Sequence, residues 1–219
     1  WGRNAQFQLG NTLNNARDSF PVAATTSARF IEVDAAETHS CAITGAGEAY
    51  CWGLGNDGQL GAGGINVGTA PVAVTTTQRF MRIVTGKTHS CGLNQDSVAY
   101  CWGLNDFGQL GLDTNFARTP VLTAGAIPWR DISAGTYHTC AITVGGTAAC
   151  WGSNAFGQAG TGDTTSNGAY LTPAPIASNE NFARIAAGHA HSCGLTTGGV
   201  ALCWGSNELG MLGDGTMAD

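Results

Sequence analysis

The sequence predicts an all-β repeat fold in which short antiparallel strands are grouped into radial blades. Three observations carry this. A phrase recurs with a period near fifty residues, the segments between turn residues have strand length, and no segment carries a helical apolar stripe. The phrase is a His, one residue, a Cys, nine residues, then Cys-Trp-Gly. Its copies are His39-Ser40-Cys41 with Cys51-Trp52-Gly53, His89-Ser90-Cys91 with Cys101-Trp102-Gly103, His138-Thr139-Cys140 with Cys150-Trp151-Gly152, and His191-Ser192-Cys193 with Cys203-Trp204-Gly205. All eight cysteines belong to it, two per copy. A metal or catalytic centre is written once, so fourfold repetition points to a module.

The elements follow in a fixed order. Trp-Gly recurs at Trp1, Trp52, Trp102, Trp151 and Trp204, in steps of 51, 50, 49 and 53. A turn phrase comes next, clearest as Leu104-Asn105-Asp106-Phe107-Gly108-Gln109-Leu110-Gly111. Variable inserts then run over roughly 11–26, 62–77, 112–127 and 161–181. An aromatic stands nine residues before each repeat His (Phe30, Phe80, Trp129, Phe182) and opens a strand-length segment such as Phe30-Ile31-Glu32-Val33. Gly86, Gly135 and Gly188 lie three residues before their His, with Ala36 in the first copy. The expected organisation is one repeat domain, 1–219, with repeats at about 1–51, 52–101, 102–150 and 151–203 and a partial one at 204–219. Strict apolar/polar alternation is weak, as expected when neighbouring blades cover both faces of a sheet.

The Gly-x-x-His-Ser phrase and the Trp-Gly-x-Asn-x-x-Gly-Gln-Leu-Gly phrase resemble the regulator of chromosome condensation repeat, over essentially the whole chain. The resemblance implies a β-propeller, typically of seven blades with four short antiparallel strands each. About four repeats and the start of a fifth then read as part of a larger propeller, or as an open or assembling arc. The start at Trp1-Gly2, inside a repeat, reads as a processed product or a piece of a longer chain. The paired cysteines depart from the nuclear members of the family.

Hairpin register assigns the cysteines. With Thr44-Gly45-Ala46-Gly47-Glu48 as the tip, symmetric pairing about Ala46 sets Cys41 opposite Cys51. The same register pairs Cys91 with Cys101, Cys140 with Cys150 and Cys193 with Cys203, within disulfide reach. It places His39, Cys41 and Cys51 on one sheet face and Ser40 and Trp52 on the other. Even count and perfect repetition favour four disulfides over reduced core thiols or a metal site. Three same-face ligands per blade leave a metal one short. Disulfides imply an extracellular, cell-surface or periplasmic home.

His39, His89, His138 and His191 read as structural, with ring nitrogens satisfied by a neighbouring strand or loop, because catalysis uses one base and not four equivalents. Trp52, Trp102, Trp151 and Trp204 read as blade-to-blade packing. His189 lies outside the pattern and reads as an exposed polar residue. Turns such as Gly213-Asp214-Gly215-Thr216 hint at calcium but lack the ordered acidic spacing of a calcium loop.

Charged residues make up 11% of the chain, net charge is −6, and Lys87 is the sole lysine. That leaves no basic patch for nucleic acid and nothing to favour an anionic membrane surface. No apolar run reaches the length of a spanning helix. No hydrolase, phosphate-loop or dinucleotide motif appears, and no cofactor is implied. The expected function is a non-enzymatic extracellular binding module for a protein or glycan. Its candidate contacts lie in the inserts: Asn14, Arg17, Asp18, Phe116, Arg118, Asn167 and Tyr170. Two alternatives stand beside it. One is a structural subunit that joins copies of itself into a fibre or assembly. The other is an inhibitor or regulator of an enzyme or GTPase, since relatives implied by the resemblance include a Ran exchange factor and a β-lactamase inhibitor.

Overall fold

The computed structural model describes residues 1–13, 15–64, 66–163 and 168–217. A short pair, β1 (Gly2–Arg3) and β2 (Arg17–Asp18), precedes three four-stranded antiparallel sheets. The first contains β3 (Phe30–Ala35), β4 (His39–Thr44), β5 (Ala49–Leu54) and β6 (Val67–Ala73). The second contains β7 (Phe80–Thr85), β8 (His89–Asn94), β9 (Ala99–Leu104) and β10 (Phe116–Leu122). The third contains β11 (Trp129–Ala134), β12 (His138–Thr143), β13 (Ala148–Ser153) and β14 (Ala169–Pro175). A three-stranded sheet follows: β15 (Phe182–Ala187), β16 (His191–Thr196) and β17 (Ala201–Gly205). Each sheet is a meander, and among the described residues the sheets stand as propeller blades without closing a ring.

The central hairpins take the register that the cysteine spacing predicts. Cys41 pairs with Cys51, Ser40 with Trp52 and His39 with Gly53, and β8–β9, β12–β13 and β16–β17 repeat the pattern. Consecutive blades pack face to face, so β4 and β8 are buried at every position. That double covering is why alternation fails there. One core cluster runs through the first three blades around Phe80, Trp102, Trp129 and Trp151, and a second joins the third and fourth around Phe182 and Ile185. Within a blade the opening aromatic meets the Trp-Gly tryptophan, with ring centroids 5.8 Å apart for Phe80–Trp102 and 5.7 Å for Trp129–Trp151.

Three of the variable inserts contain the outer strands β6, β10 and β14, and each of those strands carries a proline, at Pro71, Pro120 and Pro173. Each pairing slips beside that proline, between Cys51 and Gly53, Ala117 and Val121, and Cys150 and Gly152. Proline lacks a ladder donor, so an outer strand with a bulge is where a sheet tolerates it.

The glycine of each Trp-Gly is a backbone requirement. Gly103 has φ +109°, and a Cβ there would stand 2.4 Å from the Thr88 carbonyl oxygen. That oxygen accepts from Leu104 N at 2.9 Å, so it has little room to move. Gly45, at a hairpin tip, would bring a Cβ no closer than 3.9 Å to Ile31. Gly103→Ala is therefore expected to destabilise by about 3 kcal/mol or more, or to prevent folding. Gly45→Ala is expected to stay within about 0.5 kcal/mol of the parent. Denaturant unfolding of the two variants checks the contrast.

Candidate functional site

The repeat phrase builds the joints between blades. Ser90 and Trp102 oppose each other on one face of β8–β9. Both reach back to a single carbonyl on the preceding turn. Ser90 Oγ and Trp102 Nε1 each donate to the Gln59 oxygen at 2.9 Å. Ser40 and Trp52 meet Gln8 in the same way, Thr139 and Trp151 meet Gln109, and Ser192 and Trp204 meet Gln158. The glutamine side chain holds its own turn: Gln59 Oε1 accepts from Asp57 N at 3.0 Å. Gly61 completes the seat, because a Cβ there would lie 2.8 Å from the Trp102 indole nitrogen.

The histidines face the other way. His39 Nε2 lies 2.9 Å from Ser90 Oγ, His89 Nε2 2.9 Å from Thr139 Oγ1, and His138 Nε2 2.8 Å from Ser192 Oγ. Each hydroxyl already gives its proton to a glutamine carbonyl, so each Nε2 must carry the hydrogen and donate it. The Nδ1 atoms of His39 and His89 are buried and find no hydrogen-bond partner among the described residues. Sequence reasoning expected both ring nitrogens of all four to be satisfied; in His39, His89 and His138 one is, by a side chain of the next blade. Burial holds the His39 and His138 imidazoles down at about 4 and that of His89 at about 3, with neighbouring imidazoles adding to the shift for His89 and His138. All three are neutral at ordinary pH. His191 is partly buried, and His189 is exposed with its Nδ1 2.9 Å from Thr136 Oγ1.

Four disulfides occupy the same face as the histidines: Cys41–Cys51, Cys91–Cys101, Cys140–Cys150 and Cys193–Cys203, each with Cα atoms 4.1 Å apart. The serine of the next blade touches the bridge, with Ser90 Oγ 3.6 Å from Cys41 Sγ. The Asp214 carboxylate accepts from Thr216 N at 2.9 Å, ordinary turn chemistry.

Several candidate contact residues fall on two adjacent register positions, Arg17 and Phe116 on one and Asp18 and Tyr170 on the next. Arg17–Asp18, Phe116 and Tyr170 lie where a fourth strand pairs with the end of its third. Asp18 stands opposite Gly2, Ala117 opposite Gly103, and Tyr170 opposite Gly152. Asp18 accepts from Asn15 Nδ2 at 2.7 Å and Asn11 Nδ2 at 3.1 Å, so it orders its own loop. Tyr170 OH lies 2.7 Å from Thr161 Oγ1. Phe116 and Arg118 stack, with the guanidinium 5.4 Å from the ring centroid. Asn14 and Asn167 lie outside the described residues. Sequence reasoning missed the glutamines as joint residues. The available signal was that the residue between His and Cys is Ser or Thr in every copy.

Two predictions follow from the joint. Ser90→Ala leaves the His39 Nε2 hydrogen without an acceptor and is expected to cost about 1–3 kcal/mol. Ser90→Thr, which reproduces the Thr139 joint, is expected to cost less than about 1 kcal/mol in the same urea titration. The histidines set a pH dependence. An unfolded imidazole titrates near 6.5 and these titrate near 4 or 3, so between those values the unfolded chain binds more protons. Stability is full above pH 6.5 and falls as pH drops from there toward 4. Unfolding midpoints measured from pH 8 to 4 should show that slope, and a shallower one in His89→Gln.

Comparison with known proteins places the chain. The Regulator of chromosome condensation (RCC1) repeat profile matches residues 46–93, 96–142 and 146–195. A second form of that repeat matches residues 31–59, 82–109, 129–158 and 182–210. Human WBSCR16 superposes with a TM-score of 0.87 at 23% identity, over 100% of this chain and 59% of that one. Yeast RCC1 (Prp20), in its complex with Kap60, gives 0.80 at 23% identity, over 90% of this chain and 48% of that one. The entire ectodomain of the Physcomitrella patens receptor kinase CR4 gives 0.58 at 20% identity, over 84% and 43%. The chain thus spans about half the length of the solved structures it matches. Repeat profile and blade topology agree: this chain belongs to the Regulator of chromosome condensation (RCC1) repeat family.

Proposed function

We propose that this chain is a non-enzymatic interaction module of an oxidising compartment, extracellular, cell-surface or periplasmic, and that it recognises a protein partner through the starts of its fourth strands. The observation that carries this reading is a division of labour along the repeat. From Trp to Gly of each turn and from the opening aromatic to the second Cys, the residues that recur in every copy are committed to joints and core. At the start of the fourth strand the blades differ: Arg17–Asp18, Val67–Gly68, Phe116–Ala117 and Ala169–Tyr170 occupy equivalent places. Positions that repeat hold the fold, and positions that vary on a rigid frame are free to specify a partner.

The surroundings support each part. Eight sulfurs tied in four disulfides suit an oxidising compartment. A receptor-kinase ectodomain shares the fold. Among the structural relatives, yeast RCC1 was crystallised bound to Kap60, and Prp20p was studied for binding to Gsp1p and histones, so this blade architecture serves protein recognition elsewhere.

Two measurements test the reading. Protein isolated without reductant and treated with alkylating agent should keep its mass, and gain eight adducts only after reduction; eight adducts before reduction would remove the case for the compartment. p-Benzoyl-phenylalanine at Phe116, a photo-crosslinker that keeps the aromatic ring, should capture a defined protein partner on the native secreting cells or their surface fraction. The same residue at Val144, an exposed hairpin-tip position at the opposite end of a blade, should not. Equal capture at both positions, or at neither, overturns the assignment to the fourth strands.

A further inference from the structure

Phe116 and Arg118 are two residues apart on β10, so their side chains share a face. The Arg118 guanidinium rests on the Phe116 ring and, among the described residues, makes no ion pair and no side-chain hydrogen bond. Its backbone, by contrast, is gripped by the preceding blade. Gly63 N donates to the Arg118 carbonyl at 3.1 Å. Gly58 lies so close that a Cβ there would stand 2.9 Å from the Ala117 oxygen and 3.1 Å from Arg118 Cα. With Asn56, Asp57 and Leu104, the pair lines a cavity of about 140 Å³ at the seam between two blades. An exposed, stacked arginine with its donors unengaged is therefore presented from a backbone fixed on both sides.

We infer that this cavity is an anchor for a protein partner and takes one aspartate or glutamate side chain of that partner, flanked by an aliphatic residue. The inference rests on the interaction-module reading and adds the chemistry of one contact. A guanidinium offers two parallel N–H groups to a carboxylate, and stacking on Phe116 fixes its plane before the partner arrives. Leu104 and Phe116 supply the apolar floor for the neighbouring residue. A volume of about 140 Å³ is below the range of small-molecule pockets and suits one inserted side chain. Asp57 lines the same cavity, so it holds one cation and one anion. A singly charged planar carboxylate can keep to the Arg118 side, while a doubly charged phosphate meets the Asp57 carboxylate at greater cost. The chain carries a net charge of −6, so the contact acts at short range and does not steer an acidic partner from afar.

The test is an NMR titration of the whole 219-residue chain, following the Arg118 Nε–H and Leu104 methyl signals. The probes are acetyl-Leu-Glu-amide, acetyl-Leu-Gln-amide, acetyl-Leu-Gln with a free C-terminus, and acetyl-Leu-phosphoserine-amide. The Glu peptide should shift both signals saturably, and the Gln amide should bind about tenfold more weakly. Arg118→Gln should reduce the Glu peptide to the Gln level, with Arg118→Lys between, and signals elsewhere unchanged as the check on folding. Equal binding of the Glu and Gln amides, tighter binding of the phosphopeptide, or no shift at millimolar Glu peptide overturns the inference. A free C-terminus that matches the Glu peptide overturns the side-chain assignment. Partner capture at Phe116 that persists in Arg118→Gln sinks this contact and leaves the module reading standing. Absence of capture in the parent chain sinks the module reading itself.

Discussion

The structure hangs on one carbonyl per blade. The Gln59 oxygen accepts the Ser90 hydroxyl and the Trp102 indole N–H, both from the next blade, and the His39 imidazole then donates to that same hydroxyl from behind. The His39, Ser90 and Trp102 hydrogens each have an acceptor, and the carbonyl uses both of its lone pairs. None of the groups is satisfied within its own blade. An isolated blade would leave these donors to water and its apolar faces exposed, so it would forfeit about 0.5–1.5 kcal/mol per hydrogen bond together with the burial that the neighbouring blade supplies. Polar satisfaction thus enforces what apolar burial also favours: each blade is stable through its neighbours, as in other repeat architectures.

The central hairpin divides these duties between its faces. On one face Ser90 and Trp102 look back to the preceding turn; on the other His89 and the Cys91–Cys101 bridge look forward. The disulfides join strands within a sheet, the joints connect sheets, and neither can substitute for the other. The inner strands add a third tie at equivalent positions. Glu32, Arg82, Asp131 and Arg184 alternate in sign from blade to blade. Arg82 Nε lies 3.1 Å from Asp131 Oδ1, Arg82 Nη1 3.7 Å from Glu32, and Arg184 Nη1 4.0 Å from Asp131. The Asp131 side chain is 2% exposed, so its charge is sustained by cations from both neighbouring blades. Breaking the order of blades would bring like charges together.

The legible part of the fold was the part that side chains write. A separation of ten residues about a symmetric tip determines the Cys41–Cys51 register, and the failure of alternation on β4 and β8 reports covering on both faces. The joint was hidden because its acceptor is a backbone oxygen, which has no letter. Gln59 looked like a turn residue, and its side chain is one; its contribution to the joint is the position of its carbonyl. The outer strands were hidden for a different reason. Pro71, Pro120 and Pro173 and the slipped pairings beside them make these inserts look like loops, although each contains a ladder. The candidate contacts Phe116, Arg118 and Tyr170 were found by their departure from the repeat. Their placement at the starts of fourth strands depends on the ladders, which the sequence does not display.

These constraints also decide where specificity can reside. A substitution at Ser90, Trp102 or Gln59 disturbs two blades and one at Gly103 clashes with its own hairpin, so those sites have little freedom to suit a partner. The start of a fourth strand is different. It is held mainly by backbone contacts, such as Gly63 N to the Arg118 oxygen and the close approach of Gly58, and these do not depend on the side chain carried there. Side chains at Arg17, Val67, Phe116 and Ala169 can therefore change at little cost to the stack. A partner that reads them meets positions set one blade apart on a frame already rigid, so little ordering entropy remains to be lost on binding. The repetition that makes the chain look uninformative is what leaves a few non-repeating residues free to carry its recognition.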